Sequence, residues 1–407
     1  MRKAPTPSRR SDSSPMRILM IAPTSFFSDY GGHIRILEET RHLQEAGHQV
    51  TIVTYYKGSD MPGLDIRRTA PLPWHTDYEV GSSRHKIAFD VYLAVQALLE
   101  AHRVRPDIIH GHMHEGALIG GLLSRMLRIP LVFDFQGSLT GEMVDHHFLD
   151  PNGAVYPWAY RLEQFICRLP HAFLTSSVRA GHLLEDEFRV SKNRIYPLPD
   201  CADIVRFAPD RFTEADKLKL RHRYGIPEDR LIVAYLGLLT DYQGIPHLIR
   251  AASYLKVAGE KVHFLVMGYP NVDQYKKLAQ QKGVADHMTF TGKVEYRDAP
   301  YFLSLGDMAI APKVSATEGS GKVLNYMAMA QPVVAYDTAV HREYLADLGV
   351  YAEAGDVTAL TSAIQELLHD PARRLELGQK LRQRATVAYS WQSATQHIIE
   401  VYKKLTS

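Results

Sequence analysis

The chain has 407 residues, 45% of them hydrophobic and 23% charged, with a formal net charge of +2 at pH 7. That length exceeds what one growing core accommodates, so two domains are expected, and no apolar run is long enough to span a bilayer. A near-neutral charge also argues against a nucleic-acid binder.

The first fifteen residues, MRKAPTPSRRSDSSP, set Arg2, Lys3, Arg9 and Arg10 against Asp12 and contain no apolar stretch. They predict a disordered basic tail over 1–15, not a signal peptide, and Met16, immediately before the first strand, would make a sensible start. From Met16 to about Asp200, short β-rich runs alternate with helical stretches: RILMIA from Arg17, QVTIVTY from Gln49, DIIHGH from Asp107, LVFDFQ from Leu131, AFLTSS from Ala172 and IYPLPD from Ile195. Several are apolar on both faces, as strands of a covered parallel sheet must be, so a Rossmann-like doubly wound domain is expected over 16–205. The only cysteines, Cys167 and Cys201, suit a reducing compartment without disulfides, which makes the cytoplasm the expected location.

Open α/β sheets bind ligands at the carboxyl ends of their strands, so the loops after those runs carry the candidates. The first leads through Gly31 and Gly32 into an amphipathic helix, whose backbone N–H groups and dipole could face a phosphate; a tight turn is the plainer alternative. No G-x-G-x-x-G is present, which argues against a dinucleotide oxidoreductase. The helix IRILEETRHLQEAG carries Arg35, Arg41 and His42 offset by Glu38, Glu39 and Glu45, at most a weak peripheral contact with a membrane face. The third run ends in HGHMHEG, where His110, His112 and His114 alternate and share one side of an extended segment. A metal site is conceivable there, but with no cysteine or clustered carboxylate to complete it, packing and hydrogen bonding at the strand end is the stronger reading. After the fourth run, Asp134, Gln136, Ser138, Thr140, Glu142 and Asp145 crowd polar groups around Gly137, a pattern that favours a site over a solvated loop. No hydrolase triad order or G-x-S-x-G elbow accompanies it.

Beyond CADIVRFAPD and a charged helix around TEADKLKLRHRYGIP, the alternation restarts with LIVAYLGLL from Leu231, VHFLVMG from Val262, MTFTGK from Met288, MAIAPK from Met308 and PVVAYD from Pro332. A second Rossmann-like domain is expected over 206–388, with a final helical segment over 389–407, and the two domains are expected to face each other across a cleft. Its informative loops are YLGLLTDYQG with Gly237 and Gly244, MGYPN with Gly268, and EGSGKVLNYMAMAQPVVAYD from Glu318. Gly321 and Lys322 invite a Walker A reading, but Ala316 and Val323 stand where that motif needs Gly and Ser or Thr. What remains is strand, loop and helix. The amides of Gly319, Ser320 and Gly321 offer donors to a phosphate or sugar hydroxyl, Glu318 and Asn325 can bond ribose or hexose hydroxyls, and Lys322 adds charge. The plainer alternative has Glu318 capping the helix and Lys322 in water.

Taken together, these stretches resemble the nucleotide-sugar-dependent retaining glycosyltransferases of the GT-B fold, of the group 1 or family four type. The resemblance runs from Met16 to Leu405 through RILMIAPTSFFSDYGGHIRILEETRHLQEAGHQVTIVT, PDIIHGHMHEGALIGGLLSR, IPLVFDFQGS, RIYPLPDCADIVRFAP, YLGLLTDYQGIPHLIRAA, EGSGKVLNYMAMAQPVVA and YSWQSATQHIIEVYKKL. It implies a second domain that holds a nucleoside diphosphate sugar as co-substrate, without a metal or other cofactor, and a first domain that holds a saccharide or lipid-linked acceptor. It also implies a last helix that crosses back to the first domain. On the donor side it points to Gly32, Gly268, Val294, Gly319, Ser320, Gly321 and Asn325, and on the acceptor side to His112, Ser138 and Glu142, with Glu318, Lys322 and Gln136 as catalytic candidates.

The match has departures. The family's two glutamates fall at Glu318 and Asn325 with one residue fewer between them, its diphosphate-binding arginine and lysine at Leu238 and Gln243, and its histidine after the fourth strand at Gln136. Lys322 is expected to supply the missing charge, with Lys313 the other cation nearby in sequence. Two functions remain: an active transferase with a rebuilt diphosphate clamp, or a pseudo-transferase that binds a sugar nucleotide or a partner without turnover. A GT-B sugar-nucleotide epimerase fits the EGSGKVLNYMAMAQPVV pattern less well.

Overall fold

The structure, a computed structural model, describes residues 14–27, 31–72, 86–145, 148–314 and 320–407, with residues 31 and 145 described by backbone alone. The expected basic tail therefore lies outside the described residues, apart from Ser14 and Pro15.

The chain divides into two compact units, one running to Pro199 and taking in Ala394–Ser407, the other Asp200–Ser393. In the first, β1 (Arg17–Ala22), β2 (Gln49–Thr54), β3 (Asp65–Arg68), β4 (Ile108–His112), β5 (Leu131–Phe135), β6 (Ala172–Thr175) and β7 (Ile195–Pro197) form a parallel sheet in the order 3-2-1-4-5-6-7. The central strands β4 and β5 are buried along their whole length, the arrangement that continuous apolar runs select. Alternation divides their side chains between two layers. Leu19, Ile21, Ile109 and Leu131 pack under the helices Lys86–Val104 and Met113–Leu127, and Phe133, Phe135 and Phe173 continue that layer beneath Tyr156–Ile166. Met20 points the other way, where its sulfur accepts a hydrogen bond of 3.3 Å from Thr40 on the helix Gly31–Glu45. The last helix, Trp391–Thr406, packs on this unit: Tyr402 OH is 2.6 Å from His110 Nδ1, and Lys404 Nζ donates to Tyr196 OH at 2.7 Å.

In the second unit β8 (Leu231–Leu236), β9 (Val262–Met267), β10 (Met288–Gly292), β11 (Met308–Ala311), β12 (Val333–Tyr336) and β13 (Val350–Ala352) form a parallel sheet in the order 10-9-8-11-12-13. Both sheets thus place their first strand beside the fourth, the topology of a doubly wound domain. Two edge strands escape the sequence reading. β3 is DIRR, four half-buried residues with no apolar alternation, and β13 has only three residues. Among the described residues no helix is long and apolar enough to cross a membrane.

Candidate functional site

At the carboxyl ends of β1, β4 and β5 the first unit buries a charged network. Parallel register sets His112 opposite Asp134. From the helix Gly31–Glu45, Arg35 places its Nε 2.8 Å and one Nη 2.7 Å from the two Asp134 oxygens, donates to the Leu198 carbonyl at 3.0 Å and lies 3.2 Å from Glu39. Asp134 also accepts from His112 Nδ1 at 3.2 Å and from Gln136 Nε2 at 3.0 Å. Burial alone would raise the Asp134 pKa, but the Arg35 guanidinium and His112 outweigh it and hold the carboxyl well below the usual carboxylate range. This arrangement corrects two sequence expectations. Arg35 and His42 are buried within the unit, so the helix Gly31–Glu45 offers no basic face to a membrane through them. The three histidines do not share a side, because the helix begins at Met113 and turns His114 toward Glu163, 3.2 Å away.

Glu39, His110 and His112 do bring three buried ligand atoms within 4.8 Å of one another. An ion, however, must lie in the plane of each imidazole that holds it, and these rings are stacked 4.5 Å apart at only 16° to each other. Burial, with His112 and Arg35 nearby, pushes His110 well below its ordinary pKa. Each ring is held through its Nδ1, His110 by the Tyr402 hydroxyl and His112 by Asp134.

The polar stretch after β5 is in part structural. Glu163 is buried and accepts from Leu139 N at 2.8 Å, Thr140 N at 3.0 Å and Thr140 Oγ1 at 2.6 Å, satisfying the first amides of the helix Leu139–Asp145. Ser138 faces Glu163 at 3.2 Å and accepts from Gly141 N at 3.0 Å. Gln136 and Glu142 remain exposed beside this frame, while His112 lies a layer behind, acting on Gln136 through Asp134. Among the described residues a Cβ on Gly32 would meet only Met113 Cε at 3.9 Å, so no packing against them requires glycine there.

In the second unit the carboxyl ends of β8 and β9 press together. A Cβ on Gly268 would fall 1.8 Å from the Gly237 carbonyl oxygen, which by itself accounts for that glycine. Lys322, in the first turn of the helix Gly321–Ala328, folds back over these ends. Its Nζ donates to Gln243 Oε1 at 2.6 Å and to Tyr235 OH at 3.1 Å, and lies 4.4 Å from the Tyr235 ring centroid. The Tyr235 hydroxyl in turn donates to the Leu238 carbonyl at 2.8 Å. One ammonium thus stands beside Leu238 and Gln243, the two places where the resemblance expects cations. Asn325, a turn further on, and Val294, after β10, are half-exposed. Asp200 Oδ2 comes within 3.7 Å of where a Gly321 Cβ would be, so a carboxylate already stands at that helix end and Lys322 matters more for any anion. Glu318 and Gly319 lie outside the described residues.

Ser320 is positioned by a residue that the sequence reading passed over. His341, buried, donates from Nδ1 to the Tyr336 carbonyl at 2.7 Å, which leaves Nε2 to accept from Ser320 Oγ at 3.2 Å. Burial, reinforced by Lys322 and Lys313, pushes this imidazole down to about 4. The unfolded chain therefore binds the extra proton first, and stability should fall as pH drops from about 6.5 to 4, by roughly 3 kcal/mol. Thermal midpoints across that window should be flatter for His341→Gln; an unchanged acid limb would show that another group controls it.

Tyr235 is likewise unmarked in sequence, and Arg35 stands out there only as a surface charge. Arg35 sits among the charged residues of an ordinary amphipathic helix, and only the fold shows that it points inward.

Two family models match the chain: "Glycosyl transferase 4-like domain" over residues 31–201 and "Glycosyl transferases group 1" over 216–385. The alpha-D-kanosaminyltransferase of Streptomyces kanamyceticus is 27% identical over 74% of this chain and 79% of its own length. A D-inositol 3-phosphate glycosyltransferase of Salinispora arenicola is 28% identical over 92% and 87%. Among solved structures, sucrose-phosphate synthase from Thermosynechococcus elongatus superposes with a TM-score of 0.77 at 18% identity over 96% of this chain and 99% of that one. Anabaena HepE in complex with UDP and glucose gives 0.75 at 16% identity over 95% and 98%.

Proposed function

The chain belongs to the group 1 glycosyltransferases of the GT-B fold, which act with nucleotide-sugar donors, and from that premise we propose that it transfers a hexosyl group with retention of anomeric configuration and without a metal ion. The second unit takes the nucleoside diphosphate sugar and the first takes the acceptor, a hydroxyl of a saccharide, a lipid-linked sugar or a small molecule. In the step, the acceptor oxygen bonds to the anomeric carbon as the bond to the diphosphate breaks, and the departing diphosphate takes the acceptor proton. Stabilising the diphosphate charge is then the main task of the protein. The observation that carries this reading is the Lys322 ammonium, held over the ends of β8 and β9 by Gln243 and Tyr235. Glu318, four residues before Lys322 in the chain, is assigned to the transferred sugar, and Asn325 to the ribose.

Incubation with a panel of nucleotide sugars and hydroxyl acceptors should release nucleoside diphosphate in an acceptor-dependent manner, and NMR of the product should show the donor's anomeric configuration. Thermal shift first selects the donor, since a ligand at a hundred times its Kd stabilises by about 2.7 kcal/mol. Donor binding without diphosphate release for any acceptor would identify a binding module, and an inverted product would exclude the retaining step.

A further inference from the structure

The helices Lys86–Val104, Met113–Leu127 and Tyr156–Ile166 lie over one face of the first sheet with their inner sides in the core. Their outer sides are apolar as well. On the first, Ile87, Val91, Val95 and Leu99 recur every four residues at 77%, 57%, 56% and 59% exposure, one continuous stripe. Leu122 and Met126 are exposed on the middle helix, and Trp158 and Leu162 on the third. A surface helix is ordinarily polar on its outer side, and an apolar area shared by neighbouring helices marks an interaction face.

Charge identifies the partner. Arg103, Arg105, Arg125, Arg128, Arg161 and Arg168 are exposed on these helices or just past their ends. None of the acidic residues of the three helices is exposed: Glu100 and Glu163 are buried, Asp90 accepts from Tyr55, and Glu115 pairs with Lys86. Helices that follow parallel strands all end at the same sheet edge, so most of these arginines form a band along it. The helix dipole accounts for cations at C-termini, but not for the lack of exposed carboxylates along the same helices. Trp158, its ring 5.4 Å from the Arg161 guanidinium, adds a side chain suited to an apolar–polar boundary.

We propose that this three-helix face rests on a bilayer containing anionic lipid, with the apolar stripes at the acyl boundary and the arginines on headgroup phosphates. A second copy of the chain is the poorer occupant, because it would set the same arginines against each other. The face is separate from the strand-end clusters, and the inference does not depend on the donor or acceptor assigned to them.

The intact protein should float with vesicles of phosphatidylcholine containing one-third phosphatidylglycerol about tenfold more than with phosphatidylcholine alone, and high salt should reverse this. The Val95→Glu/Leu122→Glu variant should lose that binding while keeping its thermal midpoint and its diphosphate release with a soluble acceptor. Three outcomes would overturn the proposal: no vesicle binding, equal binding to neutral and anionic vesicles, or a concentration-dependent dimer that the double variant abolishes.

Discussion

Lys322→Ala is expected to lower the rate of acceptor-dependent diphosphate release by about 10²–10³-fold, the range seen when one preorganised donor to a developing anion is removed. The argument is electrostatic. The leaving diphosphate gains charge as the sugar bond breaks, and at Leu238 and Gln243 this chain lacks the two cations that the family resemblance predicts. The Lys322 ammonium is held 2.6 Å from Gln243 Oε1 and 3.1 Å from Tyr235 OH, both on neutral side chains, so it approaches a ligand with its position already fixed. Because the charge develops in the transition state, kcat should fall further than donor affinity. Stability should fall by about 1.5–3 kcal/mol, the range for hydrogen bonds that involve a charged group. A second variant separates charge from structure. In the Lys322→Ala background, Gln243→Lys returns an ammonium to the same place and should recover part of the rate. Full transfer by Lys322→Ala would remove Lys322 from the diphosphate step, and no recovery on adding Gln243→Lys would show that an ammonium in that place is not sufficient.

Why some of this was legible and some not follows from how far apart the determining residues lie. RILMIA and LIVAYL announce covered strands by apolar content alone, and the loops after them follow as ligand positions once the sheet is parallel. DIRR at β3 carries no such signal: it is a strand only because β2 offers it an edge, with Thr51 Oγ1 donating to Asp65 at 2.8 Å. Lys322 was visible as a charge near a glycine loop, but its contact with Gln243, 79 residues away, depends on how β8 and β11 pair. The polarity after β5 was legible as unusual, yet Ser138 and Thr140 within it serve Glu163, whose role as an internal helix cap has no sequence mark. Arg35 is the clearest case. A helix pattern says which residues face inward on average, and it gives no warning that an inward arginine has a carboxylate waiting on a strand 99 residues later.

Asp134→Asn is expected to cost about 3–5 kcal/mol, the penalty for leaving a buried charge without its partner. The amide keeps the volume and removes the charge, so the loss reports electrostatics and not a cavity. Arg35 is 2% exposed and cannot turn to water, and after the change it keeps Glu39, at 3.2 Å, but loses both of its short bonds to the Asp134 carboxylate. The reverse substitution should be worse. Arg35→Met removes from Asp134 and Glu39, both 0% exposed, the guanidinium that faces them both. In urea titrations the double variant Arg35→Met/Asp134→Asn should therefore lose clearly less than the sum of the two singles, since one member of the unmatched set disappears with the other. Strict additivity would mean that the pair is not a coupled unit. The pH dependence has a fixed sign. Asp134 ionises well below an ordinary aspartate when folded, so its contribution is complete at neutral pH and is lost only in strong acid, below about pH 4. Wild type and Asp134→Asn should thus differ equally at pH 8 and pH 6, and the functional consequence runs through the same carboxylate. Gln136 Nε2 and His112 Nδ1 both donate to Asp134, so the neutral variant also releases the one exposed side chain that the network aims at the strand end.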